Sequence, residues 1–94
     1  GREAGTALTT AVQCTLIGKS AGAAITTGSE NTAVGYISLD ALTTASGNVA
    51  VGYNSGGAVT TGNNNVSLGS AAGASITTGQ NNQYCRHTIR IRLY

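Results

Sequence analysis

Large aliphatic residues recur along the chain in two sets. Leu8, Ile25, Leu42, Val59 and Ile76 form one, and Ile17, Val34, Val51 and Leu68 form the other; within each set, neighbours stand 17 residues apart. Polar and small residues keep the same step. A Thr-Thr pair follows each member of the first set, at Thr9-Thr10, Thr26-Thr27, Thr43-Thr44, Thr60-Thr61 and Thr77-Thr78. A glycine directly follows each member of the second set (Gly18, Gly35, Gly52, Gly69), and Asn31, Asn48, Asn65 and Asn82 form a further column. The phase holds from residue 7 to residue 82 without a slip.

Self-similarity at a short fixed period means that each unit is one structural layer stacked on its neighbours. Seventeen residues are too few for the helix pairs of helical repeats. Each unit instead offers two short β-like runs, such as 32–36 and 41–44, divided by turn-prone pieces such as Ser46-Gly47-Asn48 and Asn63-Asn64-Asn65. Extended, such a unit closes a loop roughly 50 Å around at most, and successive loops stack about 4.8 Å apart. The spacing therefore predicts an all-β chain: a parallel β-solenoid, or β-roll, of 17-residue coils over residues 7–85. Residues 1–6 read as an N-terminal extension and 86–94 as a C-terminal cap strand or tail.

Both aliphatic sets are expected inside, with Val34, Val51 and Leu68 forming one spine and Leu42, Val59 and Ile76 the other. The Gly18, Gly35, Gly52 and Gly69 column marks a corner of unusual φ or close backbone approach. The Asn31, Asn48, Asn65 and Asn82 column suits a ladder of side-chain amides bonded along the stack.

Composition fits thin layers. The 94 residues include 14 Gly and four Tyr but no Pro, Phe, Trp or Met, and charged residues are 9% of the chain. A net charge of +2 is too weak to argue for nucleic acid, and no stretch approaches the roughly 20 apolar residues of a membrane span. The chain lacks a secretory signal pattern and an initiator Met, which reads as a fragment or processed segment.

Catalysis finds little support. Gly18-Lys19-Ser20 resembles the end of a phosphate loop, and 18–22 fits a nucleophile elbow. Yet Gln13 stands where the phosphate loop needs glycine, and the same slots in later coils hold ordinary repeat residues. His87 is the single histidine and Glu3, Glu30 and Asp40 are the carboxylates, with no pairing for acid–base work and no ligand cluster for a metal. No cofactor is expected. Cys14 takes an Asn slot and Cys85 an aliphatic slot expected to face inward. They stand more than four coils apart, roughly 20 Å at ~4.8 Å per coil, so two free thiols are expected. Asn65-Val66-Ser67 is a glycosylation sequon.

The pairs Ala33-Val34, Ala50-Val51 and Ala41-Leu42 are apolar on both faces of a strand, which one thin coil cannot bury. Part of the outer wall must meet another surface, and small second-face residues, mostly Ala, would let chains approach closely.

Runs such as "TTGNNNVSLGS", "TASGNVAVGYNS" and "TTGSENTAVGYISL" resemble the repeats of bacteriophage tail-fibre and appendage proteins. More distantly, they are similar to the head repeats of trimeric autotransporter adhesins. The resemblance covers residues 7–82 and implies a homotrimeric β-roll outside the cell, on a virion appendage or a bacterial surface, serving as spacer or for host attachment. Under that reading the outward Tyr36, Tyr53, Asn54, Ser70 and the Asn63-Asn64 corner are the candidate contacts for a receptor or glycan. The alternative is an ice-binding solenoid, in which the threonine pairs present a regular hydroxyl row.

Overall fold

The computed structural model describes residues 1–85 and contains five three-residue strands: β1 (Thr15–Ile17), β2 (Thr32–Val34), β3 (Val49–Val51), β4 (Val66–Leu68) and β5 (Gln83–Cys85). They form one parallel sheet in the order β1-β2-β3-β4-β5, each residue facing the one 17 positions on, such as Leu16 opposite Ala33 and Ala33 opposite Ala50. The chain is thus an all-β parallel solenoid of 17-residue coils, about four turns from first strand to last. Coils are counted here from the corner glycine: 1–17, 18–34, 35–51, 52–68 and 69–85. The cap or tail expected over 86–94 lies outside the described residues.

Each coil has one strand, not the two expected. The run 41–44 is not a strand, because consecutive turns use up the preceding half-coil. In coil 52–68 the N–H groups of Ser55, Gly57 and Val59 donate to the carbonyls of Gly52, Asn54 and Gly56 at 3.2, 3.2 and 3.0 Å. Left-handed residues make these turns: φ is 52° at Asn54 and 60° at Gly56. Coil-to-coil bonding survives at single points there, as where Thr43 N–H donates to the Thr60 carbonyl at 3.2 Å.

The first aliphatic set is inside in its middle coils: Ile25, Leu42 and Val59 are fully buried in one core cluster and Ile76 packs half-buried against it, whereas Leu8, in the first coil, is 40% exposed. The second set is not inside. Ile17, Val51 and Leu68 are 56, 39 and 40% exposed and Val34 is half-buried, whereas Ala33, Ala50 and Ser67 turn inward at 0, 0 and 2%. The reason is parity. Asn31, Asn48 and Asn65 must face inward to bond, and the residue two positions on shares their side. Parity acts whatever the size of the inward residue: Leu16 is inward and Ile17 outward in the first coil, as Ala33 and Val34 are in the next. The second-face residues are accordingly large aliphatics, not alanines. Cys85 shares that slot and is exposed too.

Large and small residues alternate to fill the lumen. Leu16 stands where later coils have Ala33, Ala50 and Ser67, and its methyls fill the space left by glycines: a Cβ at Gly5 or Gly22 would meet them at 2.9 and 2.7 Å. Leu39, 1% exposed, does the same over Gly56, where a Cβ would meet its Cδ2 at 2.8 Å.

The corner glycines are required twice over. Gly35 has a φ of 132°, and a Cβ on it would lie 2.5 Å from the Gly52 carbonyl oxygen. Residues 1–6 are also bonded into the stack: Ser20 N–H donates to the Arg2 carbonyl at 2.8 Å, and Gly5 N–H to the Ala21 carbonyl at 3.0 Å.

Candidate functional site

Three kinds of polar column run along the coils, and they do different work. The innermost is asparagine. The Oδ1 atoms of Asn31, Asn48 and Asn65 accept the backbone N–H of Asn48, Asn65 and Asn82 at 2.9, 2.9 and 3.0 Å. Their amide groups donate to backbone carbonyls, Asn31 to Ala45 at 2.9 Å and Asn65 to Gly79 at 2.7 Å. The ladder is therefore mostly side chain to backbone, and it lies in the core and not on a turn: Asn31, Asn48 and Asn65 are buried. Cys14 takes the same slot and donates its thiol to Gly28 O at 3.5 Å, in the direction the amides use. Ser38 and Ser55, which sequence reasoning did not single out, are buried on the facing wall and donate to Ala50 O and Ser67 O at 3.1 and 2.9 Å. Every buried side-chain polar atom among the described residues has a partner. The sequon residue Asn65 is 1% exposed, with both ends of its amide bonded, so the folded chain does not offer it for glycosylation.

The second kind consists of residues that look free in the sequence but serve the backbone. Ser29, Ser46 and Asn63 stand one coil apart, and their side-chain oxygens accept the N–H of Val12, Ser29 and Ser46 at 3.1, 3.0 and 2.7 Å. Asn63, a candidate receptor contact, is therefore half-buried and engaged. Its neighbour Asn64 is exposed, with a left-handed φ of 59°. The threonine pairs behave similarly. Thr9, Thr26 and Thr60 donate their hydroxyls to the next coil's threonine carbonyl at 3.0, 3.3 and 3.4 Å. That leaves one exposed column, Thr10, Thr27, Thr44, Thr61 and Thr78.

The third kind is a ridge just past the corner glycines. Position 2 of successive coils holds Arg2, Lys19, Tyr36, Tyr53 and Ser70, all exposed. Their carbonyls accept N–H groups from the next coil: Ser20 to Arg2 at 2.8 Å, Ile37 to Lys19 at 3.0 Å, Asn54 to Tyr36 at 2.9 Å and Ala71 to Tyr53 at 2.7 Å. These bonds fix the ridge backbone. The Tyr36 and Tyr53 rings stack, centroids 5.7 Å apart and tilted by 42°, and Lys19 Nζ stands 5.8 Å from the Tyr36 centroid.

Of the candidate contacts, then, the structure brings Tyr36, Tyr53 and Ser70 into one line, with Asn54 beside them at half-burial, and puts Asn63 and Asn64 on a different corner. Arg2 and Lys19 belong to the same line and were not singled out. Their signal was the column itself, which is legible at the 17-residue step.

Next to the ridge, across the glycine corner, lies the outward sheet face: Thr15 and Ile17, Thr32 and Val34, Val49 and Val51, Val66 and Leu68. No charged residue interrupts it. In the last described coil a cavity of about 510 Å³ is lined by Ile76, Asn82 and Tyr84 among others. Among the described residues no three His, Cys, Asp or Glu side chains come together; His87 lies outside them. No protein-family model matches the chain, and no curated protein or solved structure matches it either.

Proposed function

We propose that the chain is a non-catalytic structural and attachment segment of an extracellular fibre, of the kind carried on a virion or a bacterial surface, and that it assembles with copies of itself. One observation carries this reading: the outward face of the sheet is an uncharged aliphatic stripe of Ile17, Val51 and Leu68, exposed, with the half-buried Val34 between them. An exposed apolar patch of this regularity marks a surface that is covered in use. The covering surface must match a ladder of about 4.8 Å steps, and a second copy of the chain has that ladder built in. Short charges would break such a contact, and none lies in the stripe. A threefold arrangement is what the repeat resemblance adds.

Light scattering on the full chain tests it. The expected mass is three times the 9.3 kDa of one chain, and Val51→Asp with Leu68→Asp is expected to bring it down to one. A well-folded, dilute species of one chain's mass would remove the fibre reading. The ice-binding alternative rests on the single exposed threonine column, and thermal hysteresis is its measurement.

A further inference from the structure

Among residues 1–85, the cations and two of the three tyrosines share one column, with Tyr84 apart from it at position 16. Arg2 and Lys19, the lysine and arginine side chains of residues 1–85, both stand at position 2 of their coils, as do Tyr36 and Tyr53. The carboxylates stand elsewhere: Glu3 at position 3, Asp40 at position 6 and Glu30 at position 13. The fold does not demand this. Position 2 is exposed and its backbone is held by main-chain bonds alone, so the repeat would tolerate Ser throughout, as it does at Ser70. Two cations followed by two stacked rings, one per coil, span about 14 Å at ~4.8 Å per coil.

We propose that this ridge binds an acidic oligosaccharide laid along the solenoid axis. Sugar carboxylates meet Arg2 and Lys19, and the C–H groups of the following pyranose rings lie across the exposed side of the Tyr36–Tyr53 pair. The chemistry of the two halves points to one ligand. Tyrosines offer broad apolar area with a hydroxyl at the rim, at low entropic cost. The coil-to-coil bonds beneath them hold the backbone already ordered, which lowers the cost of binding. Among residues 1–85 the two cations precede the two rings along the axis, so charge pairing is concentrated at one end of the ridge and apolar contact at the other. Single-stranded nucleic acid fits less well, because the Tyr36 and Tyr53 rings already touch each other and leave no slot between them for a base.

The proposal rests on the attachment reading above, and the two can fail separately. A chain that assembles but binds no sugar would overturn the ridge alone; a monomer that binds sugar would overturn the fibre alone. The experiment is a calorimetric titration of the full chain with tetragalacturonate, a neutral galactose oligomer of equal length, and oligo(dT). Tetragalacturonate is expected to bind most tightly, and to weaken as salt rises. Lys19→Gln lowers its affinity by about fivefold and leaves the neutral sugar unchanged, whereas Tyr53→Ala lowers both. Circular dichroism on each variant checks that the coil persists. Equal affinity for the neutral sugar, tighter binding of oligo(dT), affinities unmoved by either variant, or no sugar binding at all would each overturn the assignment.

Discussion

Coils 35–51 and 52–68 share one backbone and solve it with different residues. Both need left-handed residues at their third and fifth positions. Coil 52–68 supplies Asn54 and Gly56, with φ of 52° and 60°. Coil 35–51 supplies Ile37 and Leu39, both with φ of 50°. A branched side chain in that region costs on the order of 1–2 kcal/mol, so the second solution is strained where the first is not. Leu39 recovers its cost by burial, filling the space that Gly56 leaves one coil on. Ile37 is only half-buried and recovers less. The lesson is that the repeat prescribes a conformation, and residue identity is free only where burial can offset strain.

What the two coils hold in common should cost most to remove. Asn48→Ala deletes the acceptor for Asn65 N–H and the donor to Ser46 O, leaving a buried N–H unpaired. The expected loss is about 3 kcal/mol, and Asn65→Ala should match it, since Asn82 N–H depends on Asn65 in the same way. Urea unfolding of both variants checks this. A loss below half that size in either would mean that the ladder is not what joins the coils.

Next comes the feature that separates them. Leu39→Gly gives coil 35–51 the solution of its neighbour. It relieves the strain but removes a buried leucine, whose loss costs about 2–5 kcal/mol, so a net destabilisation of roughly 2 kcal/mol is expected. If the variant were as stable as the parent, the pairing of Leu39 with Gly56 would carry no energy.

The same contrast explains how much could be read in advance. The period, the β class and the burial of Ile25, Leu42 and Val59 were legible, because a stack repeats its constraints at every coil. The inward face of the strand was not. Ala33 and Val34 are both apolar, and hydrophobicity alone favours burying the larger one; Asn31, bonded inward two positions before Ala33, decides otherwise. The second strand, expected over 41–44, was misread because that run looks β-like and the turns before it pass through Ile37 and Leu39, which do not look like turn residues. Asn54 and Gly56, at the same positions one coil on, do. At the site, the ridge column was visible and the tyrosines were found in it, but Asn63 looks as free as Asn64 until its bond to Ser46 N–H is seen.

Smaller effects run in the stabilising direction. Ile37→Asn copies Asn54, and should raise stability by about 1 kcal/mol as the strain is relieved. Asn54→Ile should lower it by a similar amount. Equal stabilities across this pair would show that the coil adapts its φ to the residue. Cys14→Asn extends the ladder by one coil. Asn31 N–H would gain the Oδ1 acceptor that Asn48 and Asn65 already have, for about 1 kcal/mol. Thermal melting in reductant measures it.

The smallest difference between the coils is electrostatic. Asp40 stands where coil 52–68 has Gly57. Desolvation by partial burial raises its carboxyl above the ordinary 3.8, against a backbone hydrogen bond that pulls it down. In the folded chain Asp40 therefore holds its proton more tightly than in the unfolded chain. Between 3.8 and the raised value the native state carries the extra proton, so the contribution of Asp40 to stability falls as pH rises through that window. Below the window it costs nothing, and above it the folded state carries the full penalty of a half-buried charge. Asp40→Gly, the Gly57 solution, abolishes the effect. The measurement is the stability difference between parent and variant across pH 3 to 7, in which the other carboxylates, Glu3 and Glu30, cancel. The parent should lose ground to the variant as pH rises, and parallel curves would mean that Asp40 is as well solvated in the folded coil as in the open chain.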